Sequence, residues 1–350
     1  MTTSSTIKTH FGEITLQEEI VSGDFDIIPI IDLTALDSPG SCRKEGACSR
    51  NLHGMLRNHG IPAQDIEAVQ AAARQFFGLP EEGKLECFLG KSNVRTLRAF
   101  ITLFFYIFLS SDSASTATAR YIYGEQKNLS ESFDIGYEIA GDPQKRPGDI
   151  LPEDSFELYG GNLWPSETAL PGFKDTYLHH FRSCIQLSRR LLKVFALAFD
   201  LPETFFDPLP PQAPVPGEEK VGIEAHTDYE CFAILAQDSV PALQVLNSRN
   251  QWVTATPIPG TLVVNIGDFM SLWTGGKFRS TVHRATNLTG ENRYSIPFFF
   301  GVNYDATIQA LPSCEGGELA KRGPIKAGQY VRDRLSKSYI GFGEKPKSVG

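Results

Sequence analysis

The chain has 350 residues, enough to bury a large core as one big domain or two smaller ones. It is 41% apolar and 21% charged, an ordinary globular make-up, and its net charge of −8 offers no basic stripe to a nucleic acid. The first residues carry no apolar signal core, and six scattered cysteines form no Cys-x-x-Cys pair. Free thiols in a reducing, cytoplasmic setting are therefore expected, with neither membrane nor nucleic acid as partner.

In chain order, "FDIIPIIDLTAL" (25–36) reads as a short strand, and Pro29 restricts it to a sheet edge. "NHGIPAQDIEAVQAAARQFFGLP" (58–80) reads as a turn followed by a helix. Pro62 suits its first turn, Ile66, Val69, Ala73 and Phe76 recur at helical spacing, and Gly78 with Pro80 ends it. "AFITLFFYIFL" (99–109) is strongly apolar, but its 11 residues fall short of the roughly 20 a membrane helix needs. A buried strand or helix, then a polar loop, is the plain reading. The longest helical pattern lies within 172–206, with Leu178, Phe181, Ile185, Leu192 and Phe195 on one face and Pro202 as a stop. From about Val221 to Asp305 short apolar runs are split by Gly, Pro and Asn, the texture of a β-rich module.

That module begins with "GIEAHTDYECFAILAQD" (222–238). In an extended segment residues two apart share a side, so His226 and Asp228 aim an imidazole and a carboxylate at one point. A His-x-Asp pair also arises by chance, and a metal site needs a third ligand. His179 and His180 are about 100° apart around a helix and do not easily share a metal; one buried and one exposed side chain is expected. His59, in "NHGIP", reads as a turn-stabilising residue, and His10 and His53 lie in unpatterned sequence. His283, in "FRSTVHRATN", remains, inside the same module. Two histidines and one carboxylate with open positions form the facial arrangement of non-haem Fe(II) oxygenases, whereas structural zinc wants four closed ligands. Ten residues on, "RYSIPFFFGV" sets Arg293 and Ser295 on one strand face and Ile296, Phe298, Phe300 and Val302 on the other. An Arg–Ser pair either grips a carboxylate or forms a surface ion pair.

With these residues in view, the sequence resembles the Fe(II)/2-oxoglutarate-dependent dioxygenases, in the branch that includes isopenicillin N synthase and many fungal oxygenases. The matching runs are "AHTDYECFAILAQD", "PIPGTLVVNIGDFMSLWTGGKFRSTVHRATN" and "RYSIPFFF", with "NHGIP", "ESFDIGYE" and "GGNLWP" upstream. The resemblance implies a mainly β fold with flanking helices, namely a double-stranded β-helix (jelly-roll) core beside an N-terminal α/β region. It divides the chain into an N-terminal region (1–165), a long helix and linker (166–215), the dioxygenase core (216–312) and a C-terminal helix and tail (313–350). It also implies that His226, Asp228 and His283 ligate Fe(II) and that Arg293 and Ser295 hold the far carboxylate of 2-oxoglutarate. The activity implied is O2-dependent hydroxylation or desaturation of a small organic molecule by a monomer, in fungal secondary metabolism, with release of succinate and CO2. An iron oxidase of the isopenicillin N synthase type, without 2-oxoglutarate, and a non-catalytic jelly-roll relative are the alternatives.

Three departures from the family pattern carry expectations. No Gly-Phe-Phe-like strand precedes "NHGI", and no strand ending in Tyr-Pro precedes the first ligand, so both strands are expected to be missing. Residues 94–119 read as an insert, and part of 94–126 is expected to be translated intron.

Overall fold

The computed structural model describes residues 6–9, 12–15, 17–21, 28–34, 54–87, 105–108, 130–133, 135–146, 148–151, 155–156, 162–206, 211–212, 223–286, 289–314 and 323–338. The N-terminal part supplies β1 (Thr6–Thr9), β2 (Gly12–Thr15), β3 (Gln17–Val21), β4 (Ile30–Asp32), β5 (Gly54–Arg57), β6 (Phe105–Phe108) and β7 (Ser130–Phe133). After them come β8 (Pro211–Gln212), β9 (Ile223–His226), β10 (Phe232–Gln237), β11 (Leu243–Leu246), β12 (Gln251–Thr254) and β13 (Leu262–Ile266). The last strands are β14 (His283–Ala285), β15 (Arg293–Val302), β16 (Thr307–Ile308) and β17 (Ile325–Lys326). The helices are α1 (Ala63–Phe77), α2 (Glu81–Leu85), α3 (Phe173–Ala198), α4 (Asp268–Trp273) and α5 (Ala327–Ser338).

Two sheets carry the fold. The larger runs β4-β5-β13-β10-β15-β6-β7, with β8 on the far end of β15, and the smaller runs β3-β12-β11-β14-β9. Period-two alternation assigns each face of the large sheet its own neighbour. Phe232, Ile234 and Ala236 of β10, Leu262, Val264 and Ile266 of β13, and Ile296, Phe298 and Phe300 of β15 join the main core with α1 and α3. On the opposite face Leu235, Val263 and Met55 pack against Leu243 and Val245 of the small sheet. This is the two-layer β arrangement expected from sequence, with helices on the outer face; the two sheets do not join into a closed barrel.

The helix layer follows from its apolar stripe. Tyr177, Phe181, Cys184, Ile185, Ser188, Leu191, Leu192 and Phe195 are all buried along α3, one side of a 3.6-residue spiral. Phe181 meets Phe298 edge-on at 5.6 Å, and Phe195 reaches Phe232 at 5.4 Å. The helix ends at Ala198, four residues ahead of Pro202, with Gly172 at its start in the left-handed region (φ 70°). Pro62 stands just outside α1 as its N-cap, not inside the first turn, and Gly78 is the C-cap. Strand β4 does lie at the edge of the large sheet, as Pro29 requires.

Two expected absences are corrected. The position before "NHGI" is filled: Gly54-Met55-Leu56-Arg57 forms β5, paired with β13 on one side and β4 on the other. Backbone pairing needs no Phe-Phe; Met55 and Leu56, both buried, supply the two faces. Ahead of the first ligand strand, β8 pairs Pro211 with Val302 and Gln212 with Gly301, so a short strand is present there. Within the apolar run, Phe105–Phe108 is a strand antiparallel to β15, with Phe108 opposite Arg293 and Tyr106 opposite Ser295. The remainder of 94–119 lies outside the described residues, as do His10 and His53.

Candidate active site

Strand pairing brings the first histidines together. β14 lies between β11 and β9, and in that register His283 is directly opposite His226. The imidazoles stand 4.3 Å apart between centroids. Asp228 follows in the loop between β9 and β10, and its Oδ1 is 3.7 Å from Nε2 of both His226 and His283. Among the described residues this is the one group of three side chains whose ligand atoms, all within 4.8 Å of one another, could hold a metal ion.

Two of the three candidate ligand atoms, those of His283 and Asp228, are oriented by a bond made elsewhere on the side chain. Nδ1 of His283 donates to the Thr281 carbonyl at 3.0 Å, which leaves the Nε2 lone pair free for a metal. Oδ2 of Asp228 accepts from the Asn265 amide, which leaves Oδ1 turned toward the histidines. The Asp228 backbone is held as well. The N–H of Asp268 donates to the Asp228 carbonyl at 2.8 Å, that of Gly267 to Cys231 at 2.9 Å, and that of Phe269 to Glu230 at 3.0 Å. A β-carbon on Gly267 would press into the Glu230 carbonyl, so this close approach of two backbone segments requires glycine. Glu230 itself is fully buried; burial first, then the charge of Asp228, pushes its carboxyl well above the usual range.

Arg293 and Ser295 occupy the inner face of β15, buried at 1% and 2% exposure, with the Arg293 Nη1 donating to Ser295 Oγ at 3.0 Å. Burial lowers the guanidinium to about 10, with Asp238 opposing it, so Arg293 remains a cation at neutral pH. Ser295 pairs with Gln237, and Asn265 with Ala233, four residues back along β10 toward the histidines. At ~3.4 Å per residue that is roughly 14 Å of strand, a span for the long arginine side chain and a small dicarboxylate end to end.

The other histidines play the parts expected of them. His59 Nδ1 accepts from the Ile61 N–H at 3.1 Å in its turn. His180 is buried, while His179 is exposed and meets Asp65 at 2.9 Å. Trp252 is a buried core residue with Arg284 over its ring at 4.1 Å. Lys277 is at the surface, its Nζ donating to the Ser313 carbonyl, and Tyr229 lies buried under Arg334. Sequence reasoning singled out no role for Asn265, in "PGTLVVNIGD". The signal available was an amide among apolar residues of a buried strand, because a buried polar group demands a partner.

Comparison with known proteins bears on this geometry directly. A model of the 2OG-Fe(II) oxygenase superfamily matches residues 204–302, and one for the N-terminal region of non-haem dioxygenases in morphine synthesis matches 28–167. A 2-oxoglutarate-Fe(II) type oxidoreductase (ppzC) of Metarhizium rileyi is 34% identical, over 89% of this chain and 85% of the relative. The chain belongs to the 2OG-Fe(II) oxygenase superfamily. A second such oxidoreductase (hxnY), from Emericella nidulans, is 33% identical over 84% of this chain and 83% of its own. Among solved structures, a full-length Neurospora crassa protein in complex with alpha-KG is similar at a TM-score of 0.68 and 26% identity, covering 91% of this chain and 98% of that one. This 2OG-Fe(II) oxygenase is thus a jelly-roll protein and a non-haem iron dioxygenase that uses Fe(II), 2-oxoglutarate and O2. No described helix is long and apolar enough to cross a membrane.

Proposed function

We propose that His226, Asp228 and His283 hold the Fe(II), that Arg293 and Ser295 hold the far carboxylate of 2-oxoglutarate, and that the enzyme hydroxylates or desaturates a small organic molecule in fungal secondary metabolism. The observation that carries this reading is the convergence of two imidazole Nε2 atoms on one carboxylate oxygen, with no fourth ligand beside them among the described residues. Two nitrogens and one oxygen suit Fe(II) and leave coordination positions for cosubstrate and oxygen. When bound, the metal supplies oxygen activation coupled to decarboxylation of 2-oxoglutarate to succinate and CO2.

The chain's own residues bind and aim. Arg293, buried and still cationic, gives a dicarboxylate a charge-assisted anchor, and Ser295 adds a hydroxyl beside it. Asn265 and the Thr281 carbonyl hold the ligands in orientation. The fungal relatives, both named as 2-oxoglutarate-Fe(II) type oxidoreductases, support the cosubstrate and a fungal setting. The net charge of −8, with no basic stripe, speaks against a nucleic-acid partner, and the enzyme is read as a cytoplasmic monomer acting on a small molecule.

The test is an anaerobic titration of metal-free protein with Fe(II), then 2-oxoglutarate, following the visible charge-transfer band of the chelated keto acid. The band is expected in the parent, absent in His226→Ala, and shifted to much higher 2-oxoglutarate in Arg293→Ala. Iron binding without a band would favour an oxidase of the isopenicillin N synthase type. No iron binding would point to a non-catalytic relative.

A further inference from the structure

We propose that Asn265 is a positioning residue for the metal ligand Asp228, an inference that rests on the metal-binding reading above. A carboxylate on a loop has two equivalent oxygens and a soft terminal torsion, so nothing intrinsic decides which oxygen faces a metal. Here the choice is made. The Asn265 Nδ2 donates to Oδ2, and Oδ1 is left 3.7 Å from both imidazole Nε2 atoms. Both residues are buried, Asn265 at 8% and Asp228 at 6% exposure, so water does not readily replace the amide.

The donor is itself well anchored. Asn265 lies on β13, hydrogen-bonded to β5 on one side and β10 on the other, and shares its face with Val263 in the core between the sheets. Just beyond, the chain turns through Gly267 into α4, and the N–H groups of Gly267, Asp268 and Phe269 bind the carbonyls of Cys231, Asp228 and Glu230. The stretch 265–269 therefore holds the backbone of the ligand loop and, through Asn265 alone, its carboxylate. The carboxylate is thereby kept to one oxygen toward the metal, with the second occupied.

The experiment is calorimetric titration of metal-free protein with Co(II), for the parent, Asn265→Ala, the isosteric Asn265→Leu, and Val263→Ala. Val263 is the neighbour on the same strand face and makes no part of the site. Loss of the amide is expected to weaken Co(II) binding about 10- to 100-fold in both Asn265 variants, with a changed cobalt absorption spectrum, as removal of an outer hydrogen-bond partner does elsewhere. Val263→Ala should stay within about threefold of the parent. Equal weakening by Val263→Ala, or unchanged binding and spectrum in Asn265→Leu, would overturn the assignment while leaving the metal site standing. A parent that binds no Co(II) overturns the metal-binding reading and this inference with it.

Discussion

His180 is fully buried on α3, with no hydrogen-bond partner for Nδ1 among the described residues and Nε2 3.4 Å from Cys184 Sγ. Burial pushes its imidazole down to about 4, although nearby Asp65 pulls the other way. The ring is therefore neutral in the folded protein at pH values where the unfolded chain already takes up a proton. The stability associated with it is complete above about pH 6.5 and is lost as pH falls toward 4. Urea unfolding between pH 7.5 and 4.5 should show this as a slope approaching about 1.4 kcal/mol per pH unit, and His180→Leu should flatten it. An unchanged slope in the variant would show that other groups govern acid sensitivity. At this scale the sequence is legible where chemistry is local. His226 and Asp228 share a side because they are two apart on an extended chain. The Asn265 bond to Asp228 joins residues 37 apart, and no local pattern announces it.

At the scale of elements, α3 does more than fill the outer face of the sheet. Arg189 reaches from it to Asp142 with both terminal nitrogens, Nη1 at 2.9 Å from Oδ1 and Nη2 donating to Oδ2 at 2.9 Å. The Tyr137 hydroxyl and the Gln144 N–H complete the shell of that carboxylate. Burial works against the Asp142 charge, yet these donors hold its pKa below the ordinary value. Removing the guanidinium would strand a fully buried carboxylate, so Arg189→Met is predicted to cost about 3–5 kcal/mol in denaturant unfolding, against roughly 1 kcal/mol for Tyr137→Phe. A loss below about 1 kcal/mol in Arg189→Met would mean the pair contributes little to docking this segment on the helix. The two long helices were legible from apolar spacing, because a 3.6-residue stripe is written in the sequence itself. Their ends were less so: α3 stops at Ala198, before any proline, where Phe199 and Asp200 turn off the helix.

On the scale of the whole molecule, the edge of β15 is the unusual region. Strand β8 pairs with its far end at Gly301 and Val302, while the end bearing Arg293 and Ser295 is covered by β6 from the apolar insert. The expectation that part of 94–126 is translated intron is tested on the transcript. Complementary DNA read across codons 85–135 is predicted to lack part of the insert. Abundant transcript retaining all of it would instead make Phe105–Phe108 the native neighbour of β15. Deleting 94–119 should then raise the 2-oxoglutarate needed for half-saturation and leave Fe(II) binding unchanged, since β6 pairs with β15 at Arg293 and Ser295.

The amino-acid sequence by itself determined the residue types of the site, the helix stripes, the β texture of the second half and the family, because each of these is a short-range pattern or a motif. Only the tertiary structure decided what those residues meet. It placed His283 opposite His226 through β14 and β9, turned Asp228 by an amide from β13, and filled the strand before the "NHGI" turn with Gly54–Arg57. The physical reason is the same in each case. Sheet register and buried hydrogen bonds are satisfied by partners distant in the chain, and their identity is settled only when the two sheets come together.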